Sequence, residues 1–288
     1  MRILVTGANG ITGHAVIRHL VARRAEVLGL VSQQSSAGTI AALGATPIVG
    51  DLRDNEALRH AMAPVDRVYH ICPAWVPDEI KIGETVIAAA QASDIVLFGY
   101  HSTVAPHIEE VPSRWDKMRL QMALMHSGLA FSVIQPASYM RNLDADLARA
   151  ASEGSLAQPY RVDAPLSWVD IEDVGEAISR LMTRPEQAGG TYELCGTDTP
   201  LTPEDIAKIM SKNQQRQIEA RVMPVDEYIQ RPPFDGYNAA QLKRLRAYFR
   251  FLDTFGMPAG NPNVLRMLLG RAPTTFGDYA ERTLHPIQ

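Results

Sequence analysis

Hydrophobic and polar positions follow a regular rhythm along the first half of the chain. Ile3, Leu4 and Val5 form an apolar run between Arg2 and Thr6, and Ile11, Ala15, Val16, His19 and Leu20 then fall at helical spacing. A short apolar run closed by glycine predicts a buried strand, and the 3.6-residue period predicts a helix lying on it. The same pair recurs. Strands are predicted at 26–31, 46–49, 66–71, 95–98 and 130–134, with helices ending at residue 43 and spanning 55–62, 79–92 and 114–126. Strands separated by single helices run parallel, because only a crossover connection can join a parallel pair. The first half is therefore predicted to be an α/β, doubly wound parallel sheet.

After residue 135 the rhythm changes. Helices at 142–151, 171–182, 203–212 and 239–251 and strands at 166–169 and 191–194 follow without regular crossovers, and Pro224, Pro232 and Pro233 predict a surface loop over 223–236. The expected organisation is a nucleotide-binding domain of the Rossmann type at 1–137 and a smaller α/β substrate or lid region at 138–288, partly entwined with the sheet. Helix 239–251 carries Lys243, Arg244, Arg246 and Arg250 opposite Leu242, Leu245 and Phe249, which suits a lid, an interface or a solvated helix.

The junction of the first strand and helix reads Gly7-Ala8-Asn9-Gly10-Ile11-Thr12-Gly13. Glycines at this spacing permit a tight turn, close approach of a pyrophosphate to bare backbone N–H groups, and close packing of the helix on the strand. A dinucleotide is the expected ligand. The second strand ends in Ser32 and Gln33, neither the carboxylate that suits the ribose of NAD nor a cation for the 2′-phosphate of NADP. Without a repelling carboxylate, NADP is slightly preferred, NAD is the alternative, and a plain solvated loop is an equal reading of these residues. Asp51 and Leu52 follow the third strand, where Asp51 could accept from an adenine amine or cap the next helix. Cys72 and Pro73, His101 and Ser102, and Pro136 to Tyr139 end the fourth, fifth and sixth strands, the edge where a nicotinamide and the chemistry are expected.

Composition adds mainly exclusions. The 288 residues are 46% hydrophobic and 21% charged with a net charge of −4, which gives no basic face for nucleic acid. Cys72 and Cys195 lie in apolar surroundings and are expected to be buried, reduced thiols. No apolar run reaches membrane-spanning length, and a strand starting at residue 2 leaves no room for a signal peptide, so a cytoplasmic protein is expected. No metal site is expected; the partner is a small-molecule substrate, and a homodimer is left open.

With these residues in place the chain resembles the NmrA-like group of atypical short-chain dehydrogenases. The resemblance rests on Val5-Thr-Gly-Ala-Asn-Gly10, Val49-Gly-Asp-Leu52, Trp115-Asp-Lys117 leading to Ser127-Gly-Leu129, Ile134-Gln-Pro136 with Met140-Arg-Asn142, Val169-Asp-Ile-Glu-Asp-Val174, Thr191-Tyr-Glu-Leu194 and Leu269-Gly-Arg-Ala-Pro-Thr-Thr-Phe276. It implies an NAD(P) site and either a reductase or a cofactor-sensing regulator. Ordinary short-chain dehydrogenases deliver a proton from the tyrosine of Tyr-x-x-x-Lys; Lys117 stands at the lysine position, and Ser113 replaces the tyrosine.

Lys117 is a candidate for the nicotinamide ribose hydroxyls, or a solvated lysine offset from a buried stripe of Trp115, Met118, Met122 and Met125. His101 and Tyr139 are candidate proton donors and Ser102 a hydroxyl near substrate, His101 because an imidazole titrates near neutral pH. Trp75, Tyr100, Met140, Trp168 and Phe234 either line a pocket for an aromatic or quinone-like ligand or belong to the core. The expected activity is NAD(P)H-dependent reduction of a small apolar carbonyl, quinone or conjugated compound; the alternative is redox sensing without turnover.

Overall fold

A computed structural model of the chain describes residues 1–184, 186 and 189–284. The strands β1 (Arg2–Val5), β2 (Glu26–Val31), β3 (Thr46–Val49), β4 (Arg67–His70), β5 (Leu97–His101) and β6 (Phe131–Pro136) are joined through α1 (Ile11–Ala22), α2 (Ala37–Ala42), α3 (Asn55–Met62), α4 (Glu79–Gln91) and α5 (Pro112–His126). The chain continues through β7 (Ser138–Tyr139), α6 (Asp144–Glu153), β8 (Ser155–Gln158), β9 (Trp168–Val169), α7 (Ile171–Thr183), β10 (Thr191–Leu194), α8 (Pro203–Gln214), β11 (Glu219–Val222), α9 (Val225–Tyr228), α10 (Ala239–Phe255), α11 (Asn263–Leu269) and α12 (Phe276–Leu284). Seven strands form one sheet in the order β10-β6-β5-β4-β1-β2-β3, with β1 parallel to both β2 and β4. The doubly wound sheet is the predicted fold class.

Alternate residues of each strand serve opposite layers. Val68, Phe98, Tyr100 and Val133 join Leu58, Ile82, Val86, Leu120 and Leu124 in the core on the α3, α4 and α5 side. On the other face Gly29 lies against Ile40 of α2 and Ile17 of α1, and Gly99 against Tyr69 and Met182 of α7. Helices α1 and α7 meet at backbone distance: a Cβ on Gly175 would stand 3.0 Å from the carbonyl carbon, oxygen and Cβ of Ala15.

The chain divides into two compact units. The first comprises Met1–His107, Ser113–Gln135 and Val174–Glu193, the second Ile108–Pro112, Pro136–Asp173 and Leu194–Gln288. A single boundary at 137 misses this exchange, because β10 completes the sheet edge after α7 has returned to the first unit; Val133 N–H donates to Gly190 O there at 2.9 Å. In the second unit β8 pairs in parallel with β11, and β7 with β9. The hydropathy pattern does not predict β11, whose four-residue Glu-Ala-Arg-Val sequence is largely exposed and too short for its alternation to stand out. No helix among the described residues is long and apolar enough to cross a membrane.

Two local readings are corrected. Strand β5 runs two residues later than 95–98, because Ile95 N–H closes a turn onto Ser93 O while Phe98 and Tyr100 supply the buried positions. His101 is thus a strand residue, not a loop residue. Helix α5 buries Ser113, Arg114, Leu120 and Leu124, whereas Met122 and Met125 are 46% and 71% exposed. Lys117 lies one turn after Ser113 and one before Leu120, on the inward stripe and not beside it. Of the five residues that could line an aromatic pocket, Tyr100, Met140 and Trp168 are core.

The α1–α7 contact yields a test. Gly175→Val should destabilise the protein by about 1–3 kcal/mol through overpacking against Ala15 backbone, read as a lowered midpoint in urea unfolding.

Candidate functional site

The glycine turn has the geometry of an anion cradle. Gly7 adopts φ +60°, and a Cβ there would stand 2.7 Å from Ile71 O. A Cβ on Gly13 would stand 2.4 Å from Gly7 O and 2.6 Å from Ala8 O, so the first turn of α1 lies directly on the end of β1. At Gly10 a Cβ would meet only Gly7 O, at 3.3 Å, and nothing else within 4 Å. That side of the turn is clear. Gly10 caps α1 without a side-chain acceptor and no acidic residue occupies the first turn, which leaves the positive helix end to an anion. Ile11 is exposed beside it, and Asn9 Nδ2 donates to Ser36 Oγ at 3.1 Å, tying the turn to the segment after β2. Thr12 is half-buried in the same turn, and Ser32 and Gln33 are exposed. The cradle fits the diphosphate of a dinucleotide.

The loop after β3 resolves one alternative. Asp54 caps α3 by accepting from Glu56 N–H and Ala57 N–H, so Asp51 is not the cap. Asp51 is exposed and accepts from Arg53 N–H at 2.9 Å, while Arg53 Nε donates to Asp78 at 2.8 Å; Leu52 is half-buried between them. After β4, Cys72 is buried and Pro73 exposed; burial, reinforced by Glu79, pushes the Cys72 thiol up, so it is an inert core group.

At the ends of β4 and β5 the polar side chains are buried and mutually bonded. Tyr69 Oη lies 2.7 Å from His101 Nδ1, and His70 Nδ1 lies 2.9 Å from Thr6 Oγ1, the residue preceding Gly7. Burial, with the positive charge of Lys117 second, pushes both the His70 and His101 imidazoles down to about 3. His101 is therefore neutral at ordinary pH, and its selection as a donor titrating near neutrality is corrected. Ser102 is buried as well. Its Oγ accepts from Gln121 Nε2 at 2.7 Å, and Gln121 Oε1 accepts from Gln135 Nε2 at 3.1 Å. Arg114 braces the following loop by donating to Thr103 Oγ1 and to Val104 O.

Lys117 Nζ donates to Glu79 Oε1 at 2.5 Å and lies 6.0 Å above the ring of Tyr100. The solvated alternative for Lys117 is excluded. Glycine, serine and lysine candidates are thus gathered in the first unit, whereas Pro136 and Tyr139 belong to the second, where Tyr139 pairs with Val169. Residues missed by sequence reasoning are Glu79, Tyr69 and Gln121; an acid in the first turn of α4 was the only local signal. No group of three or more His, Cys, Asp or Glu among the described residues could hold a metal ion.

The NmrA-like family model matches residues 1–280. The chain belongs to the NmrA-like family. An NAD(P)H azoreductase of Xenophilus azovorans is 24% identical over 281 residues, covering 97% of this chain and 96% of that protein. The crystal structure of an NADPH-dependent quinone oxidoreductase of Escherichia coli complexed with NADPH superposes with a TM-score of 0.85 at 21% identity, covering 98% of this chain and 100% of that one. A triphenylmethane reductase of Citrobacter sp. complexed with NADP(H) gives 0.84 at 20% identity, with 98% and 100% covered.

The NmrA-like Gly-Arg-x-Pro-x-x-Phe segment has a structural explanation within the second unit. Gly270 ends α11 at φ +68°, Arg271 donates to buried Asp173 at 2.7 Å, and Thr274 N–H donates to the same carboxylate at 2.6 Å. Phe276 packs edge-on against Trp168 at 6.1 Å. The segment fastens the C-terminal helix to the start of α7.

Two outcomes follow. Gly13→Ala forces a methyl into two backbone carbonyls and should cost about 1–3 kcal/mol or more and weaken dinucleotide binding at least about tenfold, measured by thermal unfolding and fluorescence titration. The depressed His70 and His101 values mean that the unfolded chain binds more protons than the folded one between pH 6.5 and about 3. Stability is therefore complete above 6.5 and falls on acidification, by up to about 1.4 kcal/mol per pH unit for each imidazole; His101→Gln should make this acid slope shallower in urea titrations.

Proposed function

We propose that this NmrA-like chain is an NAD(P)H-dependent reductase of small apolar quinones, carbonyls or conjugated aromatic compounds. The observation that carries the reading is the uncapped start of α1, held open by Gly7, Gly10 and Gly13 at the end of β1. The named relatives support the substrate class: the azoreductase, the quinone oxidoreductase and the triphenylmethane reductase each act on an extended π-system according to their names, and each match spans nearly the whole of both chains.

In this reading the glycine turn with Asn9, Ile11 and Thr12 holds the diphosphate. Ser32 and Gln33 face the adenosine ribose, with NADP slightly preferred because no carboxylate ends β2. Asp51 and Leu52 take the adenine, Cys72 and Pro73 bound the path from adenosine to nicotinamide, and Lys117 binds the nicotinamide ribose hydroxyls. When bound, the cofactor supplies the hydride. Ser113 in place of tyrosine removes the usual acid, which leaves the Ser102 hydroxyl, Tyr139 or water to deliver a proton. Such an arrangement suits acceptors whose reduced form is a delocalised anion, because these need a strong, closely placed acid less than a simple alkoxide does. A cytoplasmic location belongs to the same proposal, supported by two buried free thiols, Cys72 and Cys195.

Ser113 favours a second reading, a redox sensor that binds the cofactor without turnover. Titrating the purified protein with NADH and NADPH, then following the loss of reduced-nicotinamide absorbance with a panel of quinones, azo dyes, triphenylmethane dyes and enones, separates the two. Saturable binding with turnover of at least one conjugated acceptor is expected; binding with no turnover on the panel selects the sensor, and no binding overturns both.

A further inference from the structure

The ion pair between Glu79 and Lys117 is placed by helix packing. Glu79 stands one turn before Gly83 on α4, and Lys117 one turn before Leu120 on α5. A Cβ on Gly83 would come within 2.5 Å of the Leu120 side chain, so the two helices touch at this level. That contact brings Glu79 opposite Lys117. The carboxylate lies in the first turn of α4, near its positive end, and Glu79 is 1% exposed. A buried carboxylate of this kind needs its counter-ion.

The ammonium is therefore held from two sides. Glu79 Oε1 takes one N–H at 2.5 Å, and the face of Tyr100 lies 6.0 Å from Nζ, itself stacked on His70 at 6.1 Å and 18°. An ammonium has three N–H donors, and the Lys117 side chain keeps 19% exposure, so donors remain for a ligand. In Tyr-x-x-x-Lys enzymes the lysine works beside a tyrosine one turn earlier on its own helix. Here that position is buried Ser113, too short to reach across a turn, and a carboxylate from the neighbouring helix is what fixes the lysine.

We propose that Glu79 is a positioning residue of the cofactor site, fixing the Lys117 ammonium above Tyr100 so that its remaining donors meet the nicotinamide ribose. This rests on the reading of Lys117 given under the proposed function. A purely structural pair would stabilise α4 against α5 without distinguishing one half of the dinucleotide from the other.

The test uses the full chain and two probes, NADPH and 2′-phosphoadenosine diphosphate, which lacks the nicotinamide ribose. Glu79→Gln keeps the shape and removes the charge; Glu79→Asp keeps the charge on a shorter stem; Glu79→Leu combined with Lys117→Met removes both charges and leaves no orphaned carboxylate. Glu79→Gln should weaken NADPH about tenfold, equivalent to 1.4 kcal/mol, and leave the nicotinamide-free probe within about twofold. Glu79→Asp should recover part of the loss, and the double variant should lose NADPH affinity at least as far as Glu79→Gln. Equal weakening of both probes, or unchanged NADPH binding in Glu79→Gln, overturns the inference. If Glu79→Gln does not fold, Glu79→Asp carries the same comparison, with NADPH weakened and the other probe unmoved. Loss of NADPH binding in the double variant with none in Glu79→Gln leaves Lys117 its role and removes that of Glu79. A double variant that binds NADPH like the parent overturns the role of Lys117 itself, and a parent protein that binds neither probe, nor NADH, overturns the cofactor reading.

Discussion

Backbone meets backbone where β1 turns into α1, and the first unit is arranged around that contact. The Gly7 carbonyl occupies the space a side chain at residue 13 would need, and Ile71 O occupies the space of one at residue 7. The end of β1, the end of β4 and the first turn of α1 therefore lie in van der Waals contact without intervening side chains. The same economy extends outward through α1 to α7, where Gly175 rests on Ala15. One consequence is a helix end with no side-chain cap, beside a clear face of Gly10. Another is the bond between Thr6 and His70, which locks the neighbouring strand ends one residue before the turn.

Three buried carboxylates, in both units, are each paired with a basic side chain from another element. Glu79 takes Lys117; Asp173 takes Arg271; Asp170 takes Arg282. Such pairs offset a large desolvation cost and contribute little net stability against an apolar replacement, but removing one partner is costly. Their effect is geometric. In the second unit they fix the C-terminal helix to the start of α7, and in the first they set where one ammonium stands.

The glycine turn was legible because the backbone itself demands the residue type: no other side chain satisfies the contacts at positions 7 and 13. The parallel sheet was legible because its strands are buried on both faces and alternate with helices. Helix α5 was not. Trp115, Met118, Met122 and Met125 have as good a helical period as Ser113, Lys117, Leu120 and Leu124, and only the packing of Leu120 on Gly83 selects the second stripe. The Glu79–Lys117 pair joins residues 38 apart in sequence, beyond any local pattern. His101 was misjudged for a related reason: a strand end three residues later turns a loop histidine into a buried neutral one bonded to Tyr69.

These corrections move the chemistry in one direction. With His101 neutral and enclosed, Ser113 in the tyrosine position and Tyr100 pushed well above its ordinary value by burial, the first unit offers none of these three as an acid at neutral pH. What it does present are fixed positions: an open helix end, a clear glycine face, and an ammonium held between a carboxylate and an aromatic ring. A protein built this way accelerates a reaction by orienting two reactants and leaves the acid step to chemistry that does not require one. Acceptors whose reduced forms spread their charge over a conjugated framework meet that condition more readily than carbonyls that yield a localised alkoxide.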